Sequence, residues 1–295
     1  MKKLFSIILL SVFFIACSPQ DKKEIVISTN QWVGYTPLYY AYEKGYLRKL
    51  NIKIINSVSL AEAADIYRMG QANMVTTTQH EYNSLKESTN NIVPVILLDR
   101  SNGGDMVLSN KSIAELQKAE KIYAYLEIDS INQEIIKDFI KNNALDINKF
   151  VFINRDQKQI QDIDYDKEKK EKKNIVIVTY IPYNITLKKR GFKEVASTKS
   201  IDSIIVIDAL CASKEIVKNE RERLLSLKKI IDKSIDEINE NPKATYDLTR
   251  KYLSNISYKD YLESLEKIKW INKPSPELLD FINAKYDYPK ENIFK

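Results

Sequence analysis

Asn30-Gln31-Trp32-Val33-Gly34-Tyr35-Thr36-Pro37 follows the apolar run Ile25-Val26-Ile27 and leads into Leu38-Tyr39-Tyr40-Ala41-Tyr42-Glu43. The order is a strand, a turn carrying an indole, a glycine and a phenol, then a helix predicted over residues 36–47. Thr36 is its expected cap, and Pro37 sits in the first turn, where a missing N–H costs nothing. The same unit recurs downstream. Strands are expected at residues 52–55, 74–76 and 93–98, with helices at 61–69 and 80–87 between them. A second set follows, with strands at 121–125, 150–153, 175–178, near Glu194 and at 204–207, and helices at 130–141 and after Tyr183. Such alternation predicts an α/β architecture with a largely parallel sheet. From Lys214 onward the period is helical almost throughout, with Pro242 and Pro276 at first-turn positions.

With 295 residues the chain has room for one large domain or two ordinary ones, and 44% apolar residues supply a core. The 46 Lys and Arg against 40 Asp and Glu leave +6, spread along the chain. No concentrated basic stripe offers itself to nucleic acid. A single histidine, His80, excludes sites built on several imidazoles, and two cysteines exclude a disulfide framework or a four-thiolate zinc site. No metal and no cofactor is expected. The mixed-sign run at 164–173 reads as a solvated face.

Glycine is the unusual count: six, where ordinary usage of about 7% would give roughly twenty. Gly45, Gly70 and Gly191 follow helical runs and read as left-handed helix ends. Gly34, Gly103 and Gly104 lie in two loops directly after predicted strands, where open α/β sheets bind ligands.

The N-terminus sets the expected compartment. Lys2 and Lys3 precede about a dozen apolar residues ending at Phe14-Ile15-Ala16-Cys17. The run reads as a secretory signal, too short for the roughly 20 residues that span a bilayer. Its end resembles a bacterial lipobox with Cys17 as the acylated residue, so residues 1–16 form the expected signal peptide and 17–23 a tether. Cys211 is then left without a disulfide partner and reads as a buried thiol beside an apolar run.

Five strand-end loops carry candidate ligand groups. Trp32, Gly34 and Tyr35 form the first, where the rings can sandwich an apolar or cationic part and the following helix start favours an anion. Thr76, Thr77 and Thr78 form the second. In the third, Ser101, Asn102, Gly103 and Gly104 precede Asp105, which either binds a ligand amine or satisfies turn amides. The fourth holds Glu127 and Ser130; Asp129 or Ser130 can cap the next helix, which leaves Glu127 without a capping task. The fifth holds Tyr180. No nucleophile elbow, phosphate loop or dinucleotide fingerprint accompanies them, and no catalytic set is expected.

These motifs together resemble the nitrate/sulfonate/taurine-type solute-binding proteins of ABC importers, which share their fold with thiamine-pyrimidine-synthesis proteins. The resemblance rests on Trp32 to Ala41, Glu43-Lys44-Gly45-Tyr46, Gly70 to Thr78, Asp99 to Asp105 and Val178-Thr179-Tyr180-Ile181-Pro182, and covers about residues 24–215. Asn73 replaces a usual Asp, and Tyr180 a usual Trp. The resemblance implies a type II periplasmic-binding-protein fold: two α/β lobes with a cleft between them and a helical C-terminal tail. Lobe 1 would comprise residues 24–106 and 206–295, lobe 2 residues 107–205, with crossings near 106–109 and 203–208.

It further implies an extracytoplasmic, lipid-anchored substrate-binding protein rather than an enzyme. Its partners would be a small-molecule solute and ABC permease transmembrane subunits, with membrane contact through the N-terminal lipid. The implied solute is small, polar and organic: amine-bearing, sulfonate-like or pyrimidine-like. Glu127 and Asp129 stand where an anion binder would prefer neutral donors, and an amine or heterocyclic ring fits better there. The alternatives are a pyrimidine-synthase-like enzyme on the same fold, drawing on His80 and Cys211, and an extracytoplasmic ligand-sensing module.

Overall fold

The computed structural model describes residues 23–199 and 204–294. The expected signal peptide, Cys17 and all but the last residue of the tether lie outside the described residues. Among those described, no helix is long and apolar enough to cross a membrane.

Two mixed sheets form the chain's two centres. The first contains β1 (Ile25–Asn30), β2 (Ile52–Ser57), β3 (Met74–Thr77), β4 (Val93–Ser101), β10 (Ile207–Ala212) and β11 (Ile268–Trp270), in the order β11-β4-β10-β3-β1-β2. The second contains β5 (Asp105–Ser109), β6 (Ile122–Leu126), β7 (Phe150–Asn154), β8 (Ile175–Tyr180) and β9 (Lys193–Ser197), in the order β7-β6-β8-β5-β9. The chain crosses between them twice, at residues 102–104 and again between β9 and β10.

The crossings correct the expectation of a largely parallel sheet. β1 runs parallel to β2 and β3, but β10 is antiparallel to both β3 and β4 because the chain re-enters the first sheet from the opposite direction. In the second sheet β5 is likewise antiparallel to β8 and β9. Central strands are buried along their whole length, as in Ile-Val-Ile-Val-Thr-Tyr of β8 and Ile-Asp-Ala-Leu-Cys-Ala of β10. Covered on both faces, such strands read as continuous apolar runs rather than alternating ones.

That reading also explains a shift of register. The strand expected at 204–207 begins only at Ile207 and runs through Cys211 to Ala212. β-Branching marked the first half of the run, whereas pairing with β3 and β4 selected the second half. β11 is a further correction to the helical tail: Ile268-Lys269-Trp270 pairs along the edge of β4. The rest of the tail is helical, and its longest helix, Arg221–Glu240, packs on the helix Thr36–Glu43. That helix is shorter than expected; the chain turns at Gly45 into a 3₁₀ turn, Leu47–Leu50. Gly70 and Gly191 also take left-handed conformations after helices.

Candidate functional site

A small cavity of about 10 Å³, room for about one water, lies between the sheets, lined by Asn30, Trp32, Tyr35, Leu60, Thr78, Asp105, Tyr180, Val206 and Asp208. Each of these residues is at most 5% exposed, so the cavity is closed off from solvent. The first sheet contributes Asn30 at the end of β1, Thr78 just past β3 and Asp208 in β10. Trp32 and Tyr35 come from the turn after β1, where Val33–Tyr35 forms a 3₁₀ turn. The second sheet contributes Asp105 and Tyr180, the first residue of β5 and the last of β8, which are cross-strand partners.

The Trp32 indole is held from several sides. Its Nε1–H donates to both carboxylate oxygens of Asp99, at 3.1 and 3.2 Å. Its ring meets Tyr180 edge-on, with centroids 5.9 Å apart. Gly34 and Gly104 make room for it: a Cβ at Gly34 would overlap Asp99 Oδ2 and Trp32 Nε1, and one at Gly104 would overlap the far edge of the same ring. Neither glycine needs a left-handed backbone; both are required by close approach. From behind, Trp270 of β11 donates its indole N–H to Gly34 O at 3.0 Å. Tyr35 donates its hydroxyl to Asp208 Oδ1 at 2.5 Å, and Asn30 Nδ2 donates to Tyr180 Oη at 3.4 Å.

Three carboxyls gather here. Asp99 and Asp208 sit directly opposite one another on β4 and β10, and Asp105 adds a third. All three are buried. Burial pushes Asp99 up to about 8, the Trp32 hydrogen bond opposes the shift and the Asp105 charge adds to it. Burial likewise raises Asp105 to about 7 against the hydrogen bond from Ser101, with Glu81 adding to the rise. Asp208 is held well above the usual range by burial and by the neighbouring Asp99 charge. The Tyr35 and Tyr180 hydroxyls are also raised, chiefly by burial. No Lys, Arg or His lines the cavity. Among the described residues, no cluster of three or more His, Cys, Asp or Glu is placed to hold a metal ion.

Five of the residues expected at the ligand lie on this lining: Trp32, Tyr35, Thr78, Asp105 and Tyr180. The others stand behind it or apart from it. Thr76 donates to Thr29 Oγ1 at 3.0 Å, and Thr77 lies 3.2 Å from Cys211 Sγ. Ser101 Oγ accepts from Asp105 N at 3.0 Å and meets Thr198 Oγ1 at 2.8 Å; Gly103, with φ +99°, donates its N–H to the same Thr198 oxygen at 2.8 Å. Asn102 donates its backbone N–H to Lys267 O at 2.8 Å. These residues tie the two crossings together and so aim Asp105.

Glu127 Oε1 accepts from Gln157 N at 3.1 Å, and Ser130 caps the helix Ile131–Asn142. Thr36 is not the cap expected of it: it is the first helical residue, and its hydroxyl donates to Val33 O at 2.6 Å.

Asn30, Leu60, Val206 and Asp208 on the lining, and Asp99 behind it, were not singled out by the sequence. Asp208 had a usable signal, a lone acid in the otherwise apolar run from Ile204 to Leu210. Asp99 similarly follows the apolar run that ends at Leu98.

A family model described as NMT1/THI5 like matches residues 32–245. No curated protein matches the sequence. Among solved structures, the chain is similar to the periplasmic aliphatic sulphonate binding protein SsuA from Escherichia coli, with TM-score 0.69, 11% identity, and coverage of 92% of this chain and 93% of that one. The ligand binding component of an ABC-type import system from Staphylococcus aureus, solved with zinc bound, gives TM-score 0.69 at 13% identity, covering 93% and 97%. The periplasmic nitrate-binding protein NrtA from Synechocystis PCC 6803 gives TM-score 0.64 at 11% identity, covering 81% and 69%. At these identities the likeness establishes the type II periplasmic-binding-protein fold.

Proposed function

We propose that this chain, which belongs to the NMT1/THI5-like family, is the extracytoplasmic solute-binding component of an ABC importer. It captures a small polar organic solute (amine-bearing, sulfonate-like or pyrimidine-like) and delivers it to permease transmembrane subunits, tethered through a lipid on Cys17. The observation that carries this reading is the closed cavity whose wall is shared by the two sheets, with Trp32, Tyr35 and Asp208 facing Asp105 and Tyr180. A solute touching both walls stabilises closure of the lobe built on the first sheet against the lobe built on the second, whose first strand begins at Asp105 rather than at the expected boundary after 106.

Contacts across the cleft support the closed state. Tyr183 donates its hydroxyl to Gln31 Oε1 at 3.1 Å, and Glu81 Oε1 accepts from Ile131 N at 3.0 Å. Micromolar affinity asks for only about −8 kcal/mol, within reach of an aromatic contact and a few charge-assisted hydrogen bonds. A reaction at this site has little support. His80 faces Glu134 at 3.3 Å and Cys211 faces Thr77, so the two do not form a pair, and burial pushes the Cys211 thiol up to about 12.

Native mass spectrometry of gently purified protein tests the reading. A co-purified small molecule that denaturation releases is expected. Its absence, together with no thermal stabilisation across amines, pyrimidines and sulfonates, would overturn it.

A further inference from the structure

We propose that the solute is a small organic cation, recognised by Asp105 and Asp208 through its N–H donors and flanked by Trp32, Tyr35 and Tyr180. The inference rests on the solute-binding reading and narrows its ligand class.

The carboxyls of the wall, one of them with an orphaned buried oxygen and none with a cationic side chain beside it, set the sign of the charge. Nearly every donor on the lining is already used. The Trp32 N–H is taken by Asp99 and the Tyr35 O–H by Asp208. The Thr78 O–H is taken by Glu81 and the Asn30 amide N–H by Tyr180. The Tyr180 hydroxyl proton and the second Asn30 amide N–H have no acceptor assigned to them among the described residues. Acceptors are left over: Asp105 Oδ2 and Asn30 Oδ1 are fully buried atoms without a hydrogen-bond donor among the described residues. Their residues are 4% and 0% exposed. Asn132, whose side-chain amide is also buried and unpartnered, lies outside the lining. A sulfonate or nitrate would meet one hydroxyl, one amide N–H and two carboxyls, with a third carboxyl behind them, in a site with no cationic side chain. An ammonium, amidinium or protonated ring nitrogen would satisfy the orphaned acceptors and supply the missing counter-charge.

The energetics point the same way. Buried carboxyls without a cation are costly, and like charges directly opposite on neighbouring strands repel. Asp99 and Asp208 are such a pair. A bare metal ion is a poorer occupant, because hard cations want oxygen ligands on most sides. Here Leu60, Val206 and three aromatic rings make up over half of the lining. Ring faces do suit an organic cation. The cavity measures only about 10 Å³ in this closed form, so the cation enters where the two walls part and they close on it.

Three probes of one shape and different charge test the proposal: benzamidinium, benzamide and benzoate, titrated calorimetrically into the full chain near pH 8. Benzamidinium is expected to bind at least tenfold more tightly than benzamide, and benzoate not at all. Asp105→Asn should cost benzamidinium at least tenfold while leaving benzamide within about threefold; Asp208→Asn serves as the second variant should Asp105→Asn fail to fold. Benzoate or benzamide binding as well as benzamidinium would overturn the cation, as would variants that keep full benzamidinium affinity. If no probe binds, the charge of the co-purified molecule decides: a neutral or anionic one overturns the cation alone. Finding no co-purified molecule and no thermal stabilisation across amines, pyrimidines and sulfonates overturns the solute-binding reading on which it rests.

Discussion

The two sheets end their strands differently. At the first sheet, Asn30, Thr78 and Asp208 open onto the cavity. At the end of β6 in the second sheet, residues of the same chemical kind turn inward and fasten their own lobe. Glu127 Oε1 takes the first amide of the helix Gln157–Ile160, while the Gln157 side chain accepts from Thr179 Oγ1 at 2.8 Å and donates to Val178 O at 3.4 Å. Ser130 donates to Glu127 O and accepts from Asn132 N. Glu127 Oε2 has no donor among the described residues, and burial raises this carboxyl well above the usual range. A polar residue after a strand is therefore not yet a ligand group. What separates the two regions is whether the fold has already supplied its partner.

The contrast can be broken most forcefully at Gly34. Gly34→Ala would drive a methyl into the Asp99–Trp32 contact. Overpacking of this kind costs about 1–3 kcal/mol, and displacing the indole should weaken solute binding on the order of a hundredfold, roughly the 2.7 kcal/mol of one lost, bifurcated hydrogen bond to a carboxylate. A thermal melt with a titration reads both, and unaltered affinity would remove Trp32 from the site.

A smaller effect comes from pH. Because Asp105 lies near 7, it is mostly protonated at about pH 6 and mostly ionised at about pH 8. Benzamidinium affinity should rise about tenfold over that interval, the change in ionised fraction for a group titrating at its midpoint. The ligand-free protein should move the other way. Asp99 and Asp105 have folded values above their unfolded ones, so their stabilising contribution is full only below the unfolded value. It is lost as pH rises through about 7 and about 8. The melting temperature without ligand should therefore fall from pH 6 to pH 8. A ligand-free melting temperature that rises with pH would count against a buried carboxyl cluster.

The smallest effect belongs to the second sheet. Ser130→Ala removes a helix cap worth about 1 kcal/mol and should leave solute affinity unchanged. A tenfold loss of affinity would mean that the β6 end reaches the solute after all, and the contrast would fail.

Trp32, Gly34 and Tyr35 were legible because an indole, a glycine and a phenol between a strand and a Pro-started helix have few other uses. Gly104 was legible for a related reason: a chain sparing with glycine keeps it where a ring must pass. Asp208 was not singled out because the strand was placed at 204–207, and its true register came from pairing with β3 and β4. β11 was missed since three residues on a sheet edge have no period to read. Leu60 looked like any other apolar helix residue.

By itself the sequence determined the alternation of strands and helices, the positions of the chain's turns and the aromatic loop. Those follow from local backbone preference and hydrophobic period. Only the tertiary structure decided which polar atoms remained without partners. That depends on residues far apart in the chain, as with Asp99 and Trp32, or Glu127 and Gln157, competing for the same few donors in a space closed to water.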